Sequence, residues 1–122
     1  MATQRVIILA IAAASLVSMA CAISGTATFY IPPYIPSACF GNVDQGTMIA
    51  AANRDLYNNG AACGQSYTVT CTGANCRNGA VTVRIVDLCP GCGPNQLDLS
   101  QEAFAIIADP NAGRIQIDYT PA

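Results

Sequence analysis

The chain is 122 residues long, with five basic and seven acidic residues, a formal net charge of −2, and no His, Lys or Trp. That length allows one domain, and an acidic chain whose few arginines stand apart is a poor partner for nucleic acid or an anionic membrane. Without His, the usual general base and metal ligand near neutral pH is missing, which argues against serine, cysteine and metal hydrolases of the usual designs.

Arg5 opens a leader. It is followed by an apolar, alanine-rich run from Val6 to Ala22 that ends in small residues, matching the charged, hydrophobic and cleavage regions of a secretory signal. A membrane anchor is the rival reading. A spanning helix needs roughly 17–25 apolar residues, and this run is weakly hydrophobic and at the lower edge of that range. Cuts after Ala20 or Ala22 both fit the small-x-small rule. The later cut removes Cys21 and leaves an even set, Cys39, Cys63, Cys71, Cys76, Cys89 and Cys92, as an oxidised, exported framework requires. The expected organisation is a signal peptide over 1–22 and one domain over 23–122, secreted, monomeric and not embedded in a membrane.

Gly25 to Tyr30 reads as a first strand. Ile31-Pro32-Pro33-Tyr34-Ile35-Pro36 cannot continue it in a sheet and is expected to run extended and polyproline-like over the surface. Gly46 to Asn53 is a short, alanine-rich strand or turn, and Leu56 to Gly60 a helical turn closed by a left-handed Gly. Tyr67, Val69 and Cys71 alternate with Ser66, Thr68 and Thr70, the period of a half-buried strand. Val81, Val83 and Ile85 do the same with Thr82 and Arg84, and that strand delivers Asp87 to a loop, Leu88 to Gln96, rich in Pro and Gly. The chain returns as Leu97-Asp98-Leu99, with both leucines on one face and Asp98 on the other. Ser100 then caps a helix whose buried face is Phe104, Ile107 and Ala108. A turn at Asp109–Gly113 leads to a last strand with Ile115, Ile117 and Tyr119 inward. Five or six short strands and one good helix predict a mainly β, small closed barrel. Its two candidate carboxylates, Asp87 and Asp98, stand at opposite ends of one stiff loop.

Six cysteines allow many pairings. Loop-closure entropy favours the near neighbours Cys71 with Cys76 and Cys89 with Cys92, leaving Cys39 and Cys63. Two other readings compete: a redox pair at Cys89-Pro90-Gly91-Cys92, and a four-thiolate zinc site from Cys71, Cys76, Cys89 and Cys92. No helix begins at Cys92 to depress a thiol pKa, and a secretory leader favours bridges over zinc. No metal and no cofactor are expected.

The motifs GTATFY, ACFG, AACG, VDLCPGC, LDLSQEAF and DPNAG together strongly resemble the plant natriuretic peptide-like proteins, relatives of the expansin N-terminal domain and of family-45 endoglucanases. The resemblance covers Ile23 to Ala122. It implies a six-stranded double-psi β-barrel with one or two short helices, held by disulfides that include Cys39–Cys63 and Cys71–Cys76. It also implies an extracellular, non-enzymatic role in water and solute homeostasis, exercised through a membrane receptor. A cell-wall polysaccharide is the alternative partner. In expansins and the related hydrolases a sugar-binding groove takes the positions occupied here by Thr28, Tyr30, Asp87 and Asp98. Asp98 and Asp87 are therefore the candidates for any glycan chemistry. Departures weigh against hydrolysis: GTATFY carries no carboxylate, and Gln96 stands where plant expansins place His. Tyr30, Tyr34, Phe29 and Phe40 are candidates for stacking on a sugar, or for packing. The structural alternatives are that Asp87 bonds the backbone of its own loop and that Asp98 holds the loop's amides. For a receptor, the expected contacts are the Pro-rich segment and an exposed loop from Asn42 to Gly60.

Overall fold

The computed structural model describes residues 21–122; the expected signal peptide lies, but for its last two residues, outside the described residues. Six strands form: β1 (Ile23–Tyr30), β2 (Ile49–Ala52), β3 (Ser66–Cys71), β4 (Ala80–Leu88), β5 (Leu97–Ser100) and β6 (Ile115–Pro121). They close into the expected barrel in the order β1-β5-β2-β4-β3-β6. β1 with β5 and β2 with β4 are parallel; the other four pairings are antiparallel. Two short helices, α1 (Arg54–Tyr57) and α2 (Gln101–Ile107), complete the fold. Among the described residues no helix is long and apolar enough to cross a membrane.

The alternation of the strands decides what fills the barrel. Val69, Val81, Val83, Ile85, Leu97, Leu99, Ile115, Ile117 and Tyr119 all point inward and are buried. From β2 only Ala50 and Ala52 enter this core. α2 covers the barrel with Phe104 and Ile107, both fully buried. Its N-terminus is held as its sequence predicts: Ser100 Oγ accepts from Ala103 N at 3.0 Å. Gly25 answers to a close approach, since a Cβ there would lie 2.0 Å from the Asn95 carbonyl oxygen, a distance no side chain tolerates.

Three local expectations are corrected. The helical turn before Gly60 starts earlier than predicted and is capped by Asn53, whose side chain accepts from Leu56 N; Gly60 is left-handed as expected, but the left-handed exit already begins at Asn58. The segment Ile31–Pro36 is not polyproline-like. At about 3.1 Å per residue such a run would hold Tyr34 well away from Tyr30, yet the Tyr34 hydroxyl lies 3.3 Å from the Tyr30 carbonyl oxygen. And Asn42 to Gly60 is not one exposed loop, because β2 within it is buried at all four positions.

All six expected cysteines are bridged, Cys39–Cys63, Cys71–Cys76 and Cys89–Cys92. The pairing takes up every thiol that the zinc reading required. The bridges Cys39–Cys63 and Cys89–Cys92 fasten the two irregular segments that flank the groove described next.

Candidate functional site

The four groove candidates are Thr28 on β1, Asp98 on β5, Asp87 on β4 and Tyr30 at the end of β1. Strand register brings the first three into one row. Thr28 is opposite Asp98, Asp98 is opposite Ala51, and Ala51 is opposite Asp87. Paired residues share a face, so all four side chains stand on the outer surface of the barrel, with Ala51 between the carboxylates. The Cα atoms of Asp98 and Asp87 are two strand spacings apart, about 10 Å.

Asp87 reaches that face only through an irregularity. Along β4, Ala50 of β2 is opposite Ile85, and the next residue, Ala51, is opposite Asp87, so Val86 is an extra residue. An unbroken period of two would place Asp87 inside the barrel with Ile85. The bulge at Val86 shifts the phase and turns the carboxylate outward. Asp87 Oδ1 then accepts from its own loop at Leu88 N, 2.9 Å, and from Ala38 N, 3.1 Å. The expected backbone role of Asp87 is thus present, and it extends to the Pro-rich segment, whose Cys39 N also donates to the Val86 carbonyl at 3.0 Å.

Asp98 is half-buried and accepts from Thr28 Oγ1 at 2.8 Å on Oδ1. Burial pushes its carboxyl above the usual carboxylate range, opposed by the Thr28 bond, which favours the ionised form. Asp98 does not hold the loop amides, contrary to the structural alternative above; Gln96 does. Gln96 Oε1 accepts from Gly93 N at 2.8 Å, and its Nε2 donates to Thr28 Oγ1 at 3.0 Å.

The Tyr30 hydroxyl is buried without a hydrogen-bond partner among the described residues. Burial first, and then the charges of Asp87 and Asp98, raise its pKa strongly. Its ring meets Tyr34 edge-on at 5.1 Å. Tyr34 donates to Glu102 Oε2 at 2.5 Å. Burial and that bond push the Tyr34 phenol up to about 12, and the same bond draws the part-exposed Glu102 carboxyl down. The other two aromatic candidates do not belong to the groove. Phe29 packs on Phe104 at 4.9 Å, and Phe40 lies under the Arg84 guanidinium at 4.8 Å.

The result is a row of Thr28, Asp98, Ala51 and Asp87 on one outer face of the barrel, bonded on one side to Ala38 of the segment Tyr30 to Cys39 and on the other to Gln96 of the loop that Cys89–Cys92 closes. Sequence reasoning missed Ala51 and the bonding of Gln96. The sign for Gln96 was its place two residues before Asp98, hence on the same strand face.

A family profile described as "Lytic transglycolase", of double-psi β-barrel type, matches residues 49–119. The EG45-like domain containing protein of Citrus jambhiri is 50% identical, over 98% of this chain and 97% of the relative. Expansin-B4 of Arabidopsis thaliana is 34% identical over 81% of this chain and 47% of its own length. A mutant expansin from Clavibacter michiganensis, solved in complex with cellohexaose, superposes with a TM-score of 0.72 at 34% identity, over 84% of this chain and 50% of that one. This chain therefore spans about half the length of the expansins it resembles and nearly all of its EG45-like relative. At 50% identity over nearly the whole of both chains, and with a closed six-stranded barrel, the chain belongs to the EG45-like proteins, a family of double-psi β-barrels akin to the expansins.

Proposed function

We propose that this protein is an exported, monomeric domain over 23–122 that binds β-linked glucan chains of the plant cell wall in the groove of Thr28, Tyr30, Asp87 and Asp98, without hydrolysing them. The observation that carries this reading is the row of Thr28, Asp98, Ala51 and Asp87 across four adjacent strands. It sets two carboxylates as hydrogen-bond acceptors along an extended track. The expansin complex with cellohexaose supports the ligand class.

Hydrolysis is set aside on chemical grounds. Inverting glycosidases separate their carboxyl groups by roughly 6.5–9.5 Å, which the strand spacing permits. Half-buried Asp98, with its raised pKa, suits a proton donor. The second role is unfilled: Asp87 Oδ1 is engaged by two backbone amides, as a loop anchor would be, and the first strand offers no carboxylate. Sedimentation with crystalline cellulose and with xyloglucan tests the reading. The wild type is expected in the pellet, and Asp98→Ala in the supernatant, with at least about a tenfold loss of affinity, ~1.4 kcal/mol. Soluble reducing ends accumulating with time would replace binding by a lytic activity, and recovery of both proteins in the supernatant would remove the glycan reading.

A second reading, natriuretic-type signalling through a membrane receptor, is favoured by one observation. Ile31 and Val43 are 62% and 60% exposed and Ile35 is 39% exposed, and all three lie on the segments beside the groove. Ile31→Ser with Val43→Ser is expected to abolish recovery on plant membranes if this surface meets a receptor, and to leave cellulose sedimentation intact.

A further inference from the structure

We infer that Gln96 is the positioning residue for Asp98: it holds the Thr28 hydroxyl so that its single proton is given to Asp98 Oδ1, leaving the other carboxylate oxygen for a ligand.

The inference rests on a chain of bonds whose direction is fixed at every link. Gln96 is 6% exposed, and each of its polar atoms has a partner. Its backbone N donates to the Gly93 carbonyl at 3.2 Å. Its carbonyl oxygen accepts from Asn53 Nδ2 at 3.0 Å. Its side-chain oxygen accepts from Gly93 N at 2.8 Å. An amide N–H can only donate, so the oxygen of the Gln96 side chain must be the atom facing Gly93, and the NH2 group is left for Thr28. That group also only donates, so Thr28 Oγ1 must accept there, at 3.0 Å. The hydroxyl has one proton, and its remaining partner is Asp98 Oδ1 at 2.8 Å. The order Gly93 to Gln96 to Thr28 to Asp98 therefore has one consistent set of donors, and it suits an ionised Asp98. It also ties the carboxylate to the backbone of the loop that Cys89–Cys92 closes. Ordinary packing would not ask for this arrangement, since leucine at position 96 would fill the volume without orienting anything.

The use of this arrangement in glycan binding rests on the function proposed above; the arrangement itself is tested without any ligand. The side-chain carboxyl of Asp98 is followed by carbon-detected NMR against pH in the wild type, Thr28→Val, Gln96→Leu and the double variant. Because Gln96 acts through Thr28, both single variants are expected to move the Asp98 midpoint upward, and the double variant no further than Thr28→Val alone, a non-additive cycle. Gln96→Met, which also lacks the donor and adds no charge, is expected to move the midpoint the same way. If Gln96→Leu fails to fold, Gln96→Met with Thr28→Val decides the matter. An unmoved midpoint in the Gln96 variants, or shifts that add in the double variant, would overturn the inference. Neither outcome depends on whether cellohexaose binds.

Discussion

Asp98 is held between two opposing effects, and its thermodynamics follow from their order. Burial is the larger and raises its pKa; the Thr28 bond lowers it. The folded protein thus holds the Asp98 proton more tightly than the unfolded chain, where an aspartate titrates near ~3.9. The contribution of this group to stability is greatest with the proton on, and it falls as the pH rises from the unfolded value through the raised folded one. Asp98→Asn keeps an oxygen for Thr28 and removes the charge. It is expected to melt above the wild type at pH 7, with the gap closing as the pH drops toward the unfolded value, in thermal scans followed by circular dichroism. A less stable variant at pH 7 would contradict this. Such a gain on removing a functional charge is the usual trade at a binding site. The outward face of Asp98 was legible because Leu97 and Leu99 bracket it. The bonding of Gln96 was not, because its partner Thr28 lies 68 residues away, beyond any local pattern.

Strands and helices were read well wherever a period was unbroken. β4, β5 and β6 each bury the residues their alternation selects, while β3 buries only Val69, with Tyr67 and Cys71 partly buried against the core. The exit of Asp87 was hidden for the opposite reason. It depends on a bulge that exists only when β4 pairs with β2, and no sequence period records a pairing. The Pro-rich segment was misread likewise, since its course is set by Tyr34 bonding Glu102 on α2. At this scale the junction of β5 and α2 offers the sharpest test. Ser100 is fully buried; its hydroxyl accepts from Ala103 N and donates to the Thr47 carbonyl at 2.5 Å. Ser100→Ala removes a cap and the bond to the Thr47 carbonyl, an expected cost of about 1–2 kcal/mol. For a domain of this size that is a fall in Tm of at least about 4 °C, measured by calorimetry. A shift within error would show that the cap carries no weight.

The whole molecule is a small barrel whose neighbours in space are seldom neighbours in sequence. β1 lies between β5 and β6, and β2 between β5 and β4, so the order of strands is no property of the residues taken alone, and the resemblance supplied the type of barrel but not that order. Such a fold gains much from cross-links. The Cys39–Cys63 bridge spans 24 residues, and on the chain-entropy account it contributes about 3–4 kcal/mol, a large share of a typical net stability of ~5–15 kcal/mol. Replacing both cysteines by serine is expected to lower the guanidinium midpoint accordingly and to loosen the wall that carries Ala38 and Cys39; an unchanged midpoint would contradict that share. The groove itself is examined most directly by titrating the labelled protein with cellohexaose and following its amide NMR signals. The expected result is a set of shifts confined to Thr28, Tyr30, Ala51, Asp87, Asp98 and their neighbours, with the hexasaccharide recovered intact. Shifts that fall elsewhere on the barrel, or none at millimolar sugar, would contradict the account.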